Sequence, residues 1–366
     1  MKKQILILII ALFTLGLSNA VAQVVLTPTP LGDCIDLDDP LNVVPGQEYT
    51  YKVNVPTPPG PHTYHWFVTQ ETEFIENGGG IIAAIEPNDG SSPVLASGQV
   101  HYDTQSSIDS INLEWYSFIL DPGEYVFVGI FVEDVNGCSN NLKVYRIRPV
   151  HAFTLDIANV NFVGNTIGGA DFAQCVSDIE SAIFDPDFGT DGGIVYDFGE
   201  NTLYYVIAAA YFSTGYQLQA IFDGLADATP SGSLGQTAMI YWDYTLAGLT
   251  ANPNGQAITN GATITVGNVN AQDSPVGAAG EMIFIKIVIS NNHYELTTDT
   301  DYELAIDGVL LDEGGNLLNP ATYGDIHYAN CVVDGFDNDL VNQVITARPT
   351  INSVSPVPPG YLPIAP

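Results

Sequence analysis

The sequence predicts an all-β protein, two tandem β-sandwich domains followed by a proline-rich tail. Three observations predict it. β-Branched and aromatic runs bounded by Gly, Pro, Asn and Asp recur along the chain, while apolar spacing at three and four residues is scarce. Apolar residues make up 46% of the chain and aromatics 10%, ample for packed cores despite a formal net charge of −34. A length of 366 residues accommodates two domains of ordinary size.

An export signal comes first. Lys2 and Lys3 precede the uncharged apolar run Ile5–Leu17, and Ala20-Val21-Ala22 supplies a small-x-small cleavage site. That run falls short of the roughly 20 residues needed to span a bilayer. Residues 1–22 are therefore expected to be removed, leaving Gln23 as the first residue. No later segment reads as a membrane span. Export across the inner membrane leaves secretion, a surface location and a periplasmic one all open. Cleavage leaves Lys52, Lys143, Arg146, Arg148, Lys286 and Arg348 against 42 acidic residues. Such a chain repels phosphate backbones and anionic lipid heads, so nucleic acid and membrane surfaces are excluded as partners.

The first domain, residues 23–150, is expected to hold strands near Tyr49–Val55, Thr63–Thr69, Gly98–Tyr102, Ile111–Leu120, Tyr125–Glu133 and Leu142–Arg148. Turn clusters such as residues 56–61 (PTPPGP) and 77–80 (NGGG) separate them. The second domain, 151–348, repeats the style. Its strands are expected at Phe153–Val160, Ile194–Phe198, Leu203–Phe212, Tyr216–Phe222 and Ala238–Leu246, then at Ala262–Val266, Met282–Ser290, Tyr302–Ile306 and Gln343–Thr346. Cys175–Ile183 reads as a strand or a short helix, and Ala247–Ala279 as long loops around one strand. The tail, 349–366, carries six prolines and should run as an extended, polyproline-like segment.

Cys34, Cys138, Cys175 and Cys331 form an even set in an exported chain, which reads as two disulfides with three possible connectivities. The simplest, Cys34–Cys138 with Cys175–Cys331, closes one loop per domain. On the chain-entropy model each such loop stabilises by roughly 4–5 kcal/mol.

The run 122–139 (PGEYVFVGIFVEDVNGCS) resembles the end of PKD-like and related immunoglobulin-like domains. In that family a PGxY turn leads into an alternating strand and then an acidic hairpin with a cysteine. Tyr125, Phe127, Gly129 and Phe131 share one face by period two, and Asn136-Gly137 is a hairpin signal. Tyr64-His65-Trp66-Phe67-Val68 looks like the family's aromatic core strand. The family's FGDG turn is missing after it, and Thr69-Gln70-Glu71-Thr72 stands there instead. The resemblance covers about residues 24–150 and implies a fold; such domains serve adhesion, spacing and binding alike. The composition is similar to that of surface and secreted proteins of Bacteroidota. In that group, chains that cross the outer membrane by the type IX route carry a C-terminal sorting domain, whereas this tail ends in Ala365-Pro366. Asp109-Ser110-Ile111 matches the phylum's short O-glycosylation pattern, making Ser110 a candidate acceptor.

Acidic loops are the candidate metal sites. Asp185, Asp187 and Asp191 lie in FDPDFGTDGG, and Asp334, Asp337 and Asp339 in DGFDND. Both place carboxylates two to four residues apart around turn formers, as calcium loops do, without the full EF-hand spacing. No cofactor is required by any motif; calcium is the one suggested. No nucleophile elbow, HExxH or Walker loop is present, and the histidines are scattered, so the chain is not expected to be an enzyme. Trp115, Trp242 and Tyr244 could stack sugars or fill a core.

The expected role is therefore non-catalytic: a structural or adhesive protein of the cell envelope or exterior, with other surface proteins, or further copies of itself as a homopolymer, as partners. Val24, Val25 and Leu26, ahead of Pro28, form an apolar segment suited to strand addition on a neighbour. The alternative is a secreted carbohydrate- or ligand-binding module with calcium-ordered loops and a glycan as partner.

Overall fold

The computed structural model describes residues 26–32, 34–55, 61–75, 85–86, 92–96, 109–116, 124–136, 141–167, 173–188, 193–227, 235–333 and 335–350. The expected signal peptide, Val24, Val25, the predicted strand Gly98–Tyr102, Cys138, Asp191, Asp334 and the tail beyond 350 lie outside them.

The first half is a small sandwich of β1 (Asn42–Val43), β2 (Glu48–Lys52), β3 (Thr63–Thr69), β4 (Ser110–Glu114), β5 (Val126–Glu133) and β6 (Lys143–Pro149). One sheet runs β1-β6-β5-β3, with β1 parallel to β6, and faces the pair β2-β4. Period-two alternation sends Val126, Val128, Ile130 and Val132 of β5 into a core with Trp66, Tyr51, Leu113 and Trp115. The opposite face of β5 carries an aromatic layer: His65 stacks on Phe131 at 4.2 Å and Phe74 meets Phe127 edge-on at 5.0 Å. Gly129 lies in that layer because a Cβ there would come within 2.0 Å of Phe67 Cζ.

The second half opens with β7 (Thr154–Val160), β8 (Ala173–Cys175), β9 (Ser181–Asp185), β10 (Gly193–Asp197), β11 (Glu200–Ala210) and β12 (Gly215–Asp223). It continues through β13 (Thr237–Asp243), β14 (Gln256–Ile258), β15 (Thr263–Asn270), β16 (Glu281–Ser290), β17 (Thr300–Leu310) and β18 (Leu340–Thr346). Two five-stranded sheets, β14-β13-β16-β11-β7 and β15-β12-β17-β18-β8, close on each other. Leu203, Tyr205 and Ile207 of β11 and Ile283, Ile285 and Ile287 of β16 meet Tyr216, Leu218, Tyr302 and Leu304 from the facing sheet. β9 and β10 pair as a separate two-stranded ribbon.

Two departures from the sequence reading stand out. Within Ala247–Ala279, expected as loops around one strand, the chain forms helix α1 (Leu246–Ala251) and two strands, β14 and β15. The Thr245 hydroxyl caps α1 by accepting from Gly248 N–H at 2.9 Å, and Leu249 seals the outer face of the sheet against Val160, Val206 and Phe284. The segment around residue 30, expected in the first domain, lies on the second sandwich. Leu26 packs over that same outer cluster, and the Thr29 hydroxyl donates to Asp156 at 3.2 Å.

The simplest disulfide pairing is corrected. Cys34 bonds to Cys331, 297 residues away, and Cys175 is an exposed free thiol. Sequence separation favoured one loop per domain, but the N-terminal segment's path over the second sandwich brings Cys34 to the 326–333 region. The bridge borders a cluster that joins the two halves, with Leu31, Val44, Ala152, Ala210, Tyr211 and Ile326 buried in it.

Candidate functional site

At the junction of the two sandwiches lies a cleft of about 410 Å³, within the size range of small-ligand sites. β6 supplies its cations. Alternation sends Ile147 into the core and leaves Arg146 and Arg148 exposed on the cleft side. Arg146 lies over the Tyr125 ring, 4.3 Å from its centroid, a cation–π contact that holds the guanidinium at the mouth. Tyr116 and Glu124 line the same side.

The second sandwich forms the other wall. Tyr211, just past β11, has φ 59°, a left-handed conformation uncommon for a non-glycine residue. Its buried ring sits in the junction cluster, which holds the backbone there. Tyr323 belongs to the short helix α2 (Pro320–Tyr323) and meets His151 edge-on at 5.7 Å. His151 Nε2–H donates to the Gly324 carbonyl at 2.6 Å, and burial holds its pKa below the usual histidine value, which favours the neutral ring. The cleft thus combines Arg146, Arg148 and one carboxylate, Glu124, with tyrosine rings, a net positive lining in a chain with very few cations. It can pair carboxylates with guanidinium forks and stack flat groups on ring faces.

Behind the wall, Asp325 ties α2 to β17. Its N–H donates to Gly308 O at 2.9 Å, and its Oδ1 accepts from Gly308 N–H at 2.9 Å. Asp325 is 0% exposed. Burial, then hydrogen bonding to Asp307 and the charge and hydrogen bond of Asp339, push its pKa well above the carboxylate range. Carboxylates in such contact share a proton.

The predicted acidic loops come out differently from one another. Asp339 is drawn inward to this buried group while Asp337 stays exposed. Asp185 and Asp187 form an exposed turn, Asp185 Oδ1 accepting from Asp187 N–H at 2.9 Å. Among the described residues no three His, Cys, Asp or Glu side chains are arranged as a metal shell. Ser110 opens β4, half-buried and opposite Lys52. Trp115 is fully buried in the first core, which removes it as a sugar platform; Trp242 and Tyr244 are half-buried and meet edge-on at 5.5 Å. Sequence reasoning missed the cleft. Its one legible signal was two arginines, spaced by two in a strand, among so few cations.

No protein-family model and no curated protein matches the chain. Among solved structures, it is similar to the CFA/I adhesin CfaE of enterotoxigenic E. coli at 8% identity, over 86% of this chain and 82% of that one, with a TM-score of 0.29. A chain named BspA_C_mut is similar at 10% identity and a TM-score of 0.20. That match covers 65% of this chain and 60% of the other, less than two thirds of its length. The collagen-binding domain of the surface protein RspB of Erysipelothrix rhusiopathiae is similar at 9% identity, over 84% and 85% of the two chains, with a TM-score of 0.13. Scores this low carry no argument about role. Among the described residues no helix is long and apolar enough to cross a membrane.

Proposed function

We propose that this chain is a non-catalytic adhesive protein of the cell exterior, and that it recognises a carboxylate-bearing partner through the junction cleft. The observation that carries the reading is the placement of Arg146 and Arg148 beside Tyr116, Tyr125, Tyr211 and Tyr323. Planar, bidentate recognition of carboxylates is what arginine forks do best, and tyrosine gives contact area at small entropic cost. The disulfide fits an oxidising compartment outside the cytoplasm.

N-Acetylphenylalanine, one ring and one carboxylate, is a minimal probe, with its neutral amide as control. Titrated by NMR, the acid should bind the wild-type protein and fail to bind Arg146→Glu/Arg148→Glu. Equal binding of acid and amide, or unchanged binding by the variant, would overturn the reading.

A further inference from the structure

We propose that the occupant of the cleft is the β9–β10 hairpin of a second copy of this chain, so that copies join head to tail. This rests on the cleft being a carboxylate receptor and names the partner.

Among the described residues, the hairpin gathers several of the exposed large apolar side chains. Ile183 is 64% exposed, Phe184 61% and Phe188 55%. Cross-strand register pairs Phe184 with Ile194 and Ala182 with Tyr196, so these four share one uncovered apolar face. Contiguous exposed apolar surface of this kind marks a contact site in a folded protein. Carboxylates border it: Asp185 lies with Ile183 on the opposite face of β9, and Asp187 follows Pro186 in the turn that leaves the strand. Rings at 184 and 188 therefore bracket carboxylates at 185 and 187, a composition complementary to the tyrosine rings and guanidinium groups of the cleft.

The ribbon is also firmly mounted. Ser177 Oγ donates to Phe198 O at 2.6 Å, and Asn291 Nδ2 donates to Ser177 Oγ at 2.9 Å. Arg348 donates to Ser177 O at 2.6 Å while its guanidinium lies over the Phe198 ring. A mounted hairpin loses little freedom on docking.

Placement decides between self-capping and assembly. The hairpin leads into β11 at Glu200, and the cleft begins at Tyr211, where β11 ends. A strand of that length spans roughly 33 Å, so the two surfaces lie at opposite ends of the second sandwich. One chain's hairpin cannot enter its own cleft. Complementary patches at opposite ends make a heterologous contact, which propagates as an open chain of subunits unless the rotation closes a ring. Mutual repulsion between such acidic copies is screened beyond about 8 Å at physiological salt, leaving the local contact to decide.

The test is sedimentation of the purified protein over a concentration series, with two variants. Wild type should form species that grow with concentration, whereas Ile183→Ser/Phe184→Ser and Arg146→Glu/Arg148→Glu should each remain monomeric. Mixed together, the variants should form a dimer and nothing larger, because one keeps its cleft and the other its hairpin. A monomeric wild type, a variant that assembles like wild type, or a mixture that stays monomeric would overturn the proposal. The hairpin variant should still bind N-acetylphenylalanine. If it does while wild type stays monomeric, the cleft reading stands and the head-to-tail contact falls; if the probe fails as well, both fall.

Discussion

Removing the Cys34–Cys331 bridge is the most informative perturbation of stability. The bridge closes a loop with a sequence separation of 297 residues. The chain-entropy relation gives about 6 kcal/mol for a loop of that size, while measured bridges typically contribute about 2–4 kcal/mol. We expect Cys34→Ser/Cys331→Ser to lose at least about 2 kcal/mol, read as a lower urea midpoint at unchanged slope. The loss should come with weaker packing where Leu31, Ala152 and Tyr211 join the halves. Hydrogen exchange should therefore accelerate at Val150, whose amide bonds to Val43 O, and at Ile326, whose amide bonds to Phe153 O. A covalent assay checks the connectivity itself. A cut in the exposed turn at residues 313–316, between the two cysteines, should leave the fragments joined on a non-reducing gel and separate them on reduction. Iodoacetamide should modify Cys175 without reduction. Fragments that part without reductant, or a variant as stable as wild type, would refute the reasoning.

Three further outcomes follow from the packing. Gly129→Ala should destabilise by about 1–3 kcal/mol by overpacking, because the new Cβ meets the buried Phe67 ring. Adding Phe67→Leu should recover part of the melting temperature, and a cost unchanged by that second substitution would count against the cause. Asp325→Asn should flatten the dependence of stability on pH. The folded-state pKa of Asp325 is raised, so the native state holds the extra proton. Wild-type stability therefore falls as pH rises from the unfolded value, about 3.9, through the folded value, and the penalty persists above it. The amide carries no such penalty, so urea midpoints of the variant should match or exceed wild type at neutral pH; parallel profiles would contradict this. Asn291→Ala should leave the amides of Gln236 and Asn201 short of partners, costing about 1–3 kcal/mol. It should also speed hydrogen exchange at Ser177 and Phe198, the mounts of the hairpin.

Much of the sheet architecture was legible because alternation and burial share one cause. Thr63–Thr69 was read with the bounds it has, and Trp66 is the core residue its strand suggested. Val126–Glu133 and Lys143–Pro149 pair as the Asn136-Gly137 signal implied. The failures share causes too. α1 is too short, and too rich in small residues, to show a helical period; its Thr245 cap was the readable mark. β9 was legible only in part: Cys175–Ile183 reads as a strand or a short helix, while the strand runs Ser181–Asp185 with Ile183 and Phe184 both exposed, so no buried-face alternation marks it. The Cys34–Cys331 pairing depends on the path of residues 26–34 over the second sandwich, which no local pattern encodes. The cleft joins Arg146 to Tyr211 and Tyr323, residues brought together only by how the two sandwiches meet. Asp339 was picked out from a surface-loop pattern and proved to be buried with Asp325.

The contact between hairpin and cleft can be tested directly by photo-crosslinking. Benzoylphenylalanine placed at position 184 of the purified protein should, on irradiation, give intermolecular adducts whose peptides contain Tyr116, Tyr125, Arg146, Arg148 or Tyr211. Those adducts should vanish in Arg146→Glu/Arg148→Glu. Adducts mapping elsewhere, or only within one chain, would contradict the head-to-tail contact.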